Sequence, residues 1–84
     1  MELNISDAVQ QKIEHLGLLH VHIQEVISHA ENMSQKLFDA KSGRFVSHKR
    51  IGNITCWVEY TEDAGSFTVG NVYMHRMEIE GEEG

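Results

Sequence analysis

The strongest constraint on the fold of this chain is a change in the spacing of its apolar residues near Ser34. Before that residue, apolar side chains recur at intervals of three and four, which is typical of one face of an α-helix. After it, apolar and polar residues alternate, which is typical of β-strands with one buried face. We therefore predict an α+β fold in which two N-terminal helices pack on one face of a three- to four-stranded antiparallel β-meander.

The two helices are predicted at residues 7–16 and 21–31. Ser6 is a suitable N-cap for the first helix, because its hydroxyl can accept a hydrogen bond from the first turn. Gly17 can adopt the left-handed conformation that ends a helix. The apolar stripes are Val9, Ile13 and Leu16 in the first helix and Ile23, Val26, Ile27 and Ala30 in the second.

The strands are predicted at residues 36–39, 44–50, 53–61 and 66–79. The third of these is the clearest, because NITCWVEYT is rich in β-branched and aromatic residues. We predict a two-residue hairpin turn at Ile51-Gly52 and a four-residue loop at 62–65. Residues 1–79 then form a single domain, and residues 80–84 form an acidic tail that we expect to be disordered.

Composition narrows the class of protein. The chain has 84 residues and one cysteine, Cys56, so an internal disulfide is excluded. The polar N-terminus lacks a secretory pattern and no apolar run approaches the ~20 residues of a membrane span, so we expect a cytoplasmic protein without membrane contact. The net charge of −6 disfavours non-specific nucleic-acid binding, although residues 36–50 carry five Lys or Arg against Asp39 alone.

Turn lengths fix a strand register, and the register predicts which side chains share a face. The face turned away from the helices should carry a tryptophan, opposite Gly70, surrounded by arginines, with Arg44 opposite Glu59 as an ion pair. Such a face suits anionic or aromatic ligands. Solvated and dimer faces carry the same residue types, and a solvent-exposed or dimer face is the interpretation that we favour. The predicted binding residues are Arg44, His48, Arg50, Trp57, Met74 and Arg76.

The sequence YMHRMEI is the most unusual local feature. A histidine acting as acid or base beside an arginine can cleave a phosphodiester, which makes Tyr73, His75 and Arg76 catalytic candidates. The same cluster can instead mark a strand end that meets a partner, which is the interpretation that we favour. We predict no cofactor and no metal site. Among the six histidines, the candidates for a metal site are His20, His22 and His29, whose spacing matches no specific zinc pattern.

The order of elements resembles that of the BrnT-type toxins and their RelE-superfamily relatives, over residues 20–79. The similar stretches are HIQEVISHAE, RFVSHKRIGN, ITCWVEYTEDAGSFTVGNVY and HRM. The resemblance implies a small ribonuclease, with Arg44, His48, Arg50, Tyr73, His75 and Arg76 as the residues to test. The acidic composition and the single arginine near the end depart from the strongly basic character of those toxins.

The stretch KRIGNITCWVEYTEDAGSFTVGNVYMHRMEI also looks like small accessory domains of flavin and iron–sulfur oxidoreductases in anaerobic bacteria. That resemblance implies a binding domain with no cofactor of its own. From these observations we predict a non-catalytic interaction or accessory domain, which binds a protein partner or a second copy of itself as a homodimer. The alternative is a toxin-like endoribonuclease that acts on RNA, and a histidine-based metal binder is a third reading.

Overall fold

The computed structural model describes residues 1–76, and the side chain of Arg76 is not described. Two helices and five strands follow one another in the chain. They are β1 (Glu2–Ile5), α1 (Asp7–Leu16), α2 (His20–Met33), β2 (Leu37–Asp39), β3 (Arg44–Ile51), β4 (Ile54–Asp63) and β5 (Ser66–Arg76). The α+β class is confirmed. The predicted tail at 80–84 and the domain end at 79 lie outside the described residues.

The caps of α1 are those that its sequence predicts. The Ser6 hydroxyl accepts a hydrogen bond from the Val9 backbone N–H at 3.3 Å, and Gly17 adopts φ +77°. Helix α2 begins one residue earlier and ends two residues later than predicted, and Ser34 adopts the left-handed conformation that terminates it. The His22 ring accepts a hydrogen bond from the Leu19 backbone N–H at 3.1 Å, which caps the start of α2.

The sheet is mixed and has five strands, in the order β1-β5-β4-β3-β2, so the prediction of three to four antiparallel strands is wrong. The additional strand is β1, which pairs in parallel with the first four residues of β5. Leu3 and Ile5 alternate with polar residues in β1 and pack against the core. This period of two extends over only four residues, which is too short to stand out beside the polar residues that follow it.

The strands of both hairpins pair in a register that is shifted by two residues from the predicted one. Ile51 pairs with Ile54, so the first turn is Gly52-Asn53, and Gly52 adopts the φ of +64° that favours glycine. Asp63 pairs with Ser66, so the second turn is Ala64-Gly65, with positive φ at both residues. A shift of two residues keeps every side chain on its predicted face, so the faces of β3 and β4 are as predicted.

The faces of β5 are not as predicted beyond Gly70. A β-bulge interrupts the ladder there: Tyr60 pairs with Val69 and Glu59 pairs with Asn71, which leaves Gly70 as the extra residue. The extra residue exchanges the two faces for the rest of the strand. Met74 therefore packs on the core, and Arg76 has the register position opposite Ile54, so the prediction that these two share the tryptophan face is wrong.

Both helices pack on the same side of the sheet, which we call the inner face. The buried core there is formed by Ile13, Leu18, Ile23, Val26, Ile27, Cys56, Val58, Tyr60, Val69 and Val72. We call the opposite side the outer face. α1 contributes the Lys12 side chain to its β5 edge, where the ammonium donates to the Asn71 Oδ1 at 2.7 Å and lies 5.8 Å from the centre of the Tyr73 ring. No helix among residues 1–76 is long and apolar enough to cross a membrane.

Candidate functional site

Three aromatic rings lie in one row across the outer face, on three neighbouring strands. His48, Trp57 and Tyr73 are directly paired in the ladder, and we call them the outer row. The His48 and Trp57 rings stack with centroids 4.4 Å apart and planes 24° apart. The Trp57 and Tyr73 rings are nearly parallel, at 9°, with centroids 6.1 Å apart. Trp57 is thus opposite Tyr73 and not, as predicted, opposite Gly70.

The stacking limits what the outer row can bind. Two rings whose centroids are 4.4 Å apart must overlap face to face, so one face of the Trp57 indole is covered by His48. A platform for single-stranded nucleic acid needs ring faces that are free to stack on bases. The outer row instead offers ring edges and the free side of His48, which suit the side chains of a protein partner.

Glu59 links Arg44 of β3 with Tyr73 of the outer row through two hydrogen bonds. It accepts from the Arg44 guanidinium at 3.1 Å and from the Tyr73 hydroxyl at 3.2 Å. Burial, together with the negative charge of Glu59, raises the pKa of Tyr73 above its usual value. The predicted ion pair between Arg44 and Glu59 is therefore present, although the ladder partner of Glu59 is Val46.

The β-bulge positions the Arg44 side chain. A Cβ atom added at Gly70 would lie 2.6 Å from both the Cζ and the Nε of Arg44. The guanidinium therefore lies over a strand position that has no side chain, where it crosses β4 and reaches Glu59. Glycine at this position gives the outer face its shape, since any larger residue would displace the arginine.

An apolar groove lies beside the row, between the outer face and the segment that joins α2 to β2. We call it the outer groove. Its volume is about 360 Å³, within the range of about 300–1,000 Å³ that is common for binding pockets. Its lining is mainly apolar and consists of Ser34, Gln35, Lys36, Leu37, Val46, His48 and Trp57.

The strand β2, which borders the outer groove, carries two exposed apolar side chains. Leu37 is 75% exposed on the outer side of β2, and Phe38 is 61% exposed on the inner side. β2 is also an edge of the sheet, with a strand on only one side among the described residues. Exposed apolar residues on a free strand edge are characteristic of surfaces that bind other proteins.

A second concavity lies near the other edge of the sheet. It is wider and more open than the outer groove and has a mixed polar and apolar lining that includes Asn4, Ser6, Arg44, Thr68 and Gly70. Its one cation, Arg44, is already bonded to Glu59. The outer groove is therefore the stronger candidate for a binding site.

The predicted binding residues divide into two groups. Arg44, His48, Arg50 and Trp57 belong to strand positions on the outer face, as predicted. Met74 and Arg76 do not, because both follow the bulge: Met74 packs on the core, and Arg76 has the register position opposite Ile54. Tyr73 was not predicted to lie on this face, and Leu37 and Val46 were not predicted as binding residues. The glycine within β5 was the signal for a bulge that would have placed Tyr73 correctly.

Among the catalytic candidates, Tyr73 and His75 share the outer face of β5, whereas His48 lies two strands away and the side chain of Arg76 is not described. Trp57 stands between His48 and Tyr73 in the outer row. His48 lies on β3 and His75 on β5, two strand spacings apart, or about 10 Å. A proton-transfer pair must reach the same reacting group within hydrogen-bond distance. His48 and His75, two strands apart, are not arranged as such a pair.

The histidines proposed as metal ligands have separate partners. His20 contacts the Gln10 amide, His22 accepts from the Leu19 backbone, and the His29 Nε2 lies 3.2 Å from the Gln35 Oε1. Within residues 1–76, no three His, Cys, Asp or Glu side chains are arranged to hold a metal ion.

Cys56 lies in the core, and burial raises the pKa of its thiol to about 11. A thiol that stays protonated at neutral pH is a poor nucleophile, so the site does not include it.

Comparisons of the chain with models of protein families, with curated proteins and with solved structures found no match. The resemblances to BrnT-type toxins and to oxidoreductase accessory domains therefore stay predictions. The geometry of the outer face carries the functional argument.

Proposed function

We propose that this chain is a non-catalytic interaction domain that binds a protein partner through its outer groove. The observation that carries the proposal is the combination of a sheet face opposite both helices with an apolar groove at a free strand edge. Leu37, Val46 and Trp57 supply apolar contact surface there. Large apolar and aromatic side chains in a pocket usually contribute most of the binding energy of a protein interface.

A second argument comes from the preorganisation of the outer face. Arg44, Glu59 and Tyr73 are linked by hydrogen bonds, and the His48 and Trp57 rings are stacked. Side chains that are already ordered lose little conformational freedom when a partner binds. This surface is rigid where it meets the groove, which favours recognition of a specific partner.

The test compares proteins captured from an extract of the source cells by three baits. These are the wild type, Val46→Arg in the outer groove, and Val21→Arg as a matched control. Val21 is an exposed apolar residue of α2, on the helical layer. We expect a protein that binds the wild type and the Val21→Arg control but not Val46→Arg. Circular dichroism of each bait checks that the fold is intact.

Equal capture by all three baits contradicts the proposal. Sedimentation of the purified chain at several concentrations tests whether the partner is a second copy, in which case Val46→Arg shifts the chain towards monomer. The same preparations are incubated with RNA. Cleavage that His48→Ala abolishes would contradict a non-catalytic role and support the ribonuclease alternative.

A further inference from the structure

The segment from Ser34 to Gly43 is attached to the rest of the molecule by few buried side chains. It contains β2 and the turn that follows it, and its first residues form one wall of the outer groove. Nine of its ten residues are exposed, and Lys36 alone is half-buried. Elements with few buried contacts are those that open locally while the rest of a domain stays folded. We call this segment the flap.

The turn after β2 is held together by bonds inside the flap. The Asp39 carboxylate accepts from the Lys41 backbone N–H at 3.0 Å and from the Ser42 hydroxyl at 3.2 Å. The Asp39 carbonyl accepts from the Gly43 backbone N–H at 2.8 Å. By contrast, the ladder that joins the flap to β3 consists of three residue pairs. The flap therefore has internal structure of its own and a short attachment to the sheet.

Lys36 provides the main side-chain attachment of the flap. Its ammonium donates to the Glu31 Oε2 at 2.7 Å and lies 4.2 Å from the centre of the Phe45 ring. The same Glu31 oxygen accepts from the Tyr60 hydroxyl, so the attachment reaches the core. The two side chains of the ion pair are 26% and 30% exposed. An ion pair with this much access to solvent contributes little and breaks easily.

The two ends of the flap have backbone conformations suited to hinges. Ser34 adopts φ +55° and Gly43 adopts φ +74°. Serine is less favourable than glycine in the left-handed region, so the closed flap is strained at Ser34. Hinges are usually a few residues at the ends of elements, where the backbone can absorb a change of direction.

The closed flap also leaves one polar atom of the site unsatisfied. The Trp57 Nε1 is buried and has no hydrogen-bond acceptor in the part of the chain that the structure describes. Buried indole N–H groups usually have a partner. Trp57 lines the outer groove together with the first residues of the flap. An acceptor that enters the groove when the flap opens would supply the missing bond.

We infer that the flap opens about its two ends and controls access to the outer groove, and that the ion pair between Lys36 and Glu31 holds it closed. The inference rests on the proposed function and adds the regulation of that same site. Opening releases the strain at Ser34 and gives a partner access to the Trp57 Nε1. A site that is open for only a fraction of the time binds with an apparent affinity reduced by that fraction.

The closing experiment first measures amide hydrogen exchange of the purified chain by NMR, with no partner present. We expect the amides of the β2–β3 ladder to exchange about tenfold faster or more than those of the β3–β4 ladder, at rates that low concentrations of urea do not change. Lys36→Met should raise the open fraction about threefold. It should also increase the acrylamide quenching of Trp57, which is the only tryptophan of the chain.

Two further variants make the test specific. Lys41→Met is the matched control, because it removes the same charge from the flap and the Lys41 ammonium forms no ion pair within residues 1–76. We expect it to leave exchange and quenching unchanged. Ser34→Gly should lower the open fraction, because glycine adopts the left-handed conformation without strain. Used as a bait below saturation, Lys36→Met should capture about threefold more partner than the wild type.

Equal exchange in the two ladders, with the urea dependence of global unfolding, overturns the flap. Equal effects of Lys36→Met and Lys41→Met overturn the role of the ion pair. Unchanged capture by Lys36→Met beside a raised open fraction overturns the control of access. The proposed function survives each of these results if the Val46→Arg bait still loses its captured protein. Loss of discrimination between Val46→Arg and Val21→Arg instead overturns the proposed function itself, so the two failures are distinguishable.

Discussion

Replacing Tyr60 with phenylalanine tests a polar network that connects the sheet with α2. Tyr60 is fully buried, and its hydroxyl donates to the Glu31 Oε2 at 2.7 Å. The Lys36 ammonium donates to the same oxygen at 2.7 Å. The ring itself stays packed in Tyr60→Phe, so the change removes the hydrogen bond and little else.

The size of the effect follows from the groups involved. A hydrogen bond to a charged group contributes about 1.5–3 kcal/mol, and the carboxylate of Glu31 is partly exposed, which favours the lower end. We therefore expect Tyr60→Phe to lower the free energy of unfolding by about 1.5 kcal/mol at pH 7. In a domain of this size, such a loss lowers the melting temperature by roughly 6–12 °C.

The effect should decrease in acid. The hydrogen bond from Lys36 lowers the pKa of Glu31 below its usual 4.5, burial opposes this, and the Tyr60 hydroxyl adds to the lowering. A carboxyl group with a lowered folded-state pKa stabilises the fold above its unfolded-state pKa, and this stability is lost as the pH falls through the folded-state value. The difference between wild type and Tyr60→Phe should therefore narrow below pH 4.5.

The assay is urea or thermal unfolding followed by circular dichroism at pH 7 and pH 2.5. Tyr73→Phe is the matched control, because its hydroxyl also donates to a carboxylate, at 3.2 Å, but on the more open outer face. We expect that control to lose less than about 1 kcal/mol. A loss below about 0.5 kcal/mol for Tyr60→Phe at pH 7, or an equal loss at both pH values, would refute the reasoning.

Three further predictions follow from single positions. Gly70→Ala should lower the free energy of unfolding by about 1 kcal/mol in urea titrations, because the new Cβ displaces the Arg44 guanidinium; an unchanged midpoint would contradict that contact. Ala64→Asn should raise the melting temperature by a few degrees, because Ala64 adopts φ +52° in a turn where asparagine before Gly65 is favoured. Cys56 should not react with Ellman's reagent at pH 8 until urea unfolds the chain, since its thiol is buried and its pKa is raised to about 11; rapid reaction of the folded chain would refute this.

Much of the fold could be predicted from the spacing of apolar residues. The helix α1 and its caps at Ser6 and Gly17 are as predicted, because each depends on interactions within a few residues of sequence. The faces of β3 and β4 are also as predicted, because an error of two residues in a hairpin turn preserves the alternation of side chains.

The errors arise where structure depends on distant parts of the chain. The strand β1 is too short to be recognised alone, and it forms because β5 offers an edge beside Leu3 and Ile5. The bulge at Gly70 depends on the ladder with β4, and it exchanges the faces of every residue that follows. As a result, Tyr73 replaces Met74 on the outer face.

Only part of the candidate site could be predicted from the sequence, because the rest depends on distant parts of the chain. His48 and Trp57 could be assigned to one face from alternation alone. The outer groove could not be predicted, because its wall is the segment from Ser34 to Leu37, whose path across β3 depends on where α2 ends.

The central claim is that the outer face, and not the helical layer, meets a partner. Photo-cross-linking in the source cells tests it directly, with a benzophenone amino acid placed either at Leu37 or at Gln24, which is exposed on α2. If a partner binds the outer face, we expect one discrete cross-linked product from position 37 and no such product from position 24. A product from position 24 alone would contradict it.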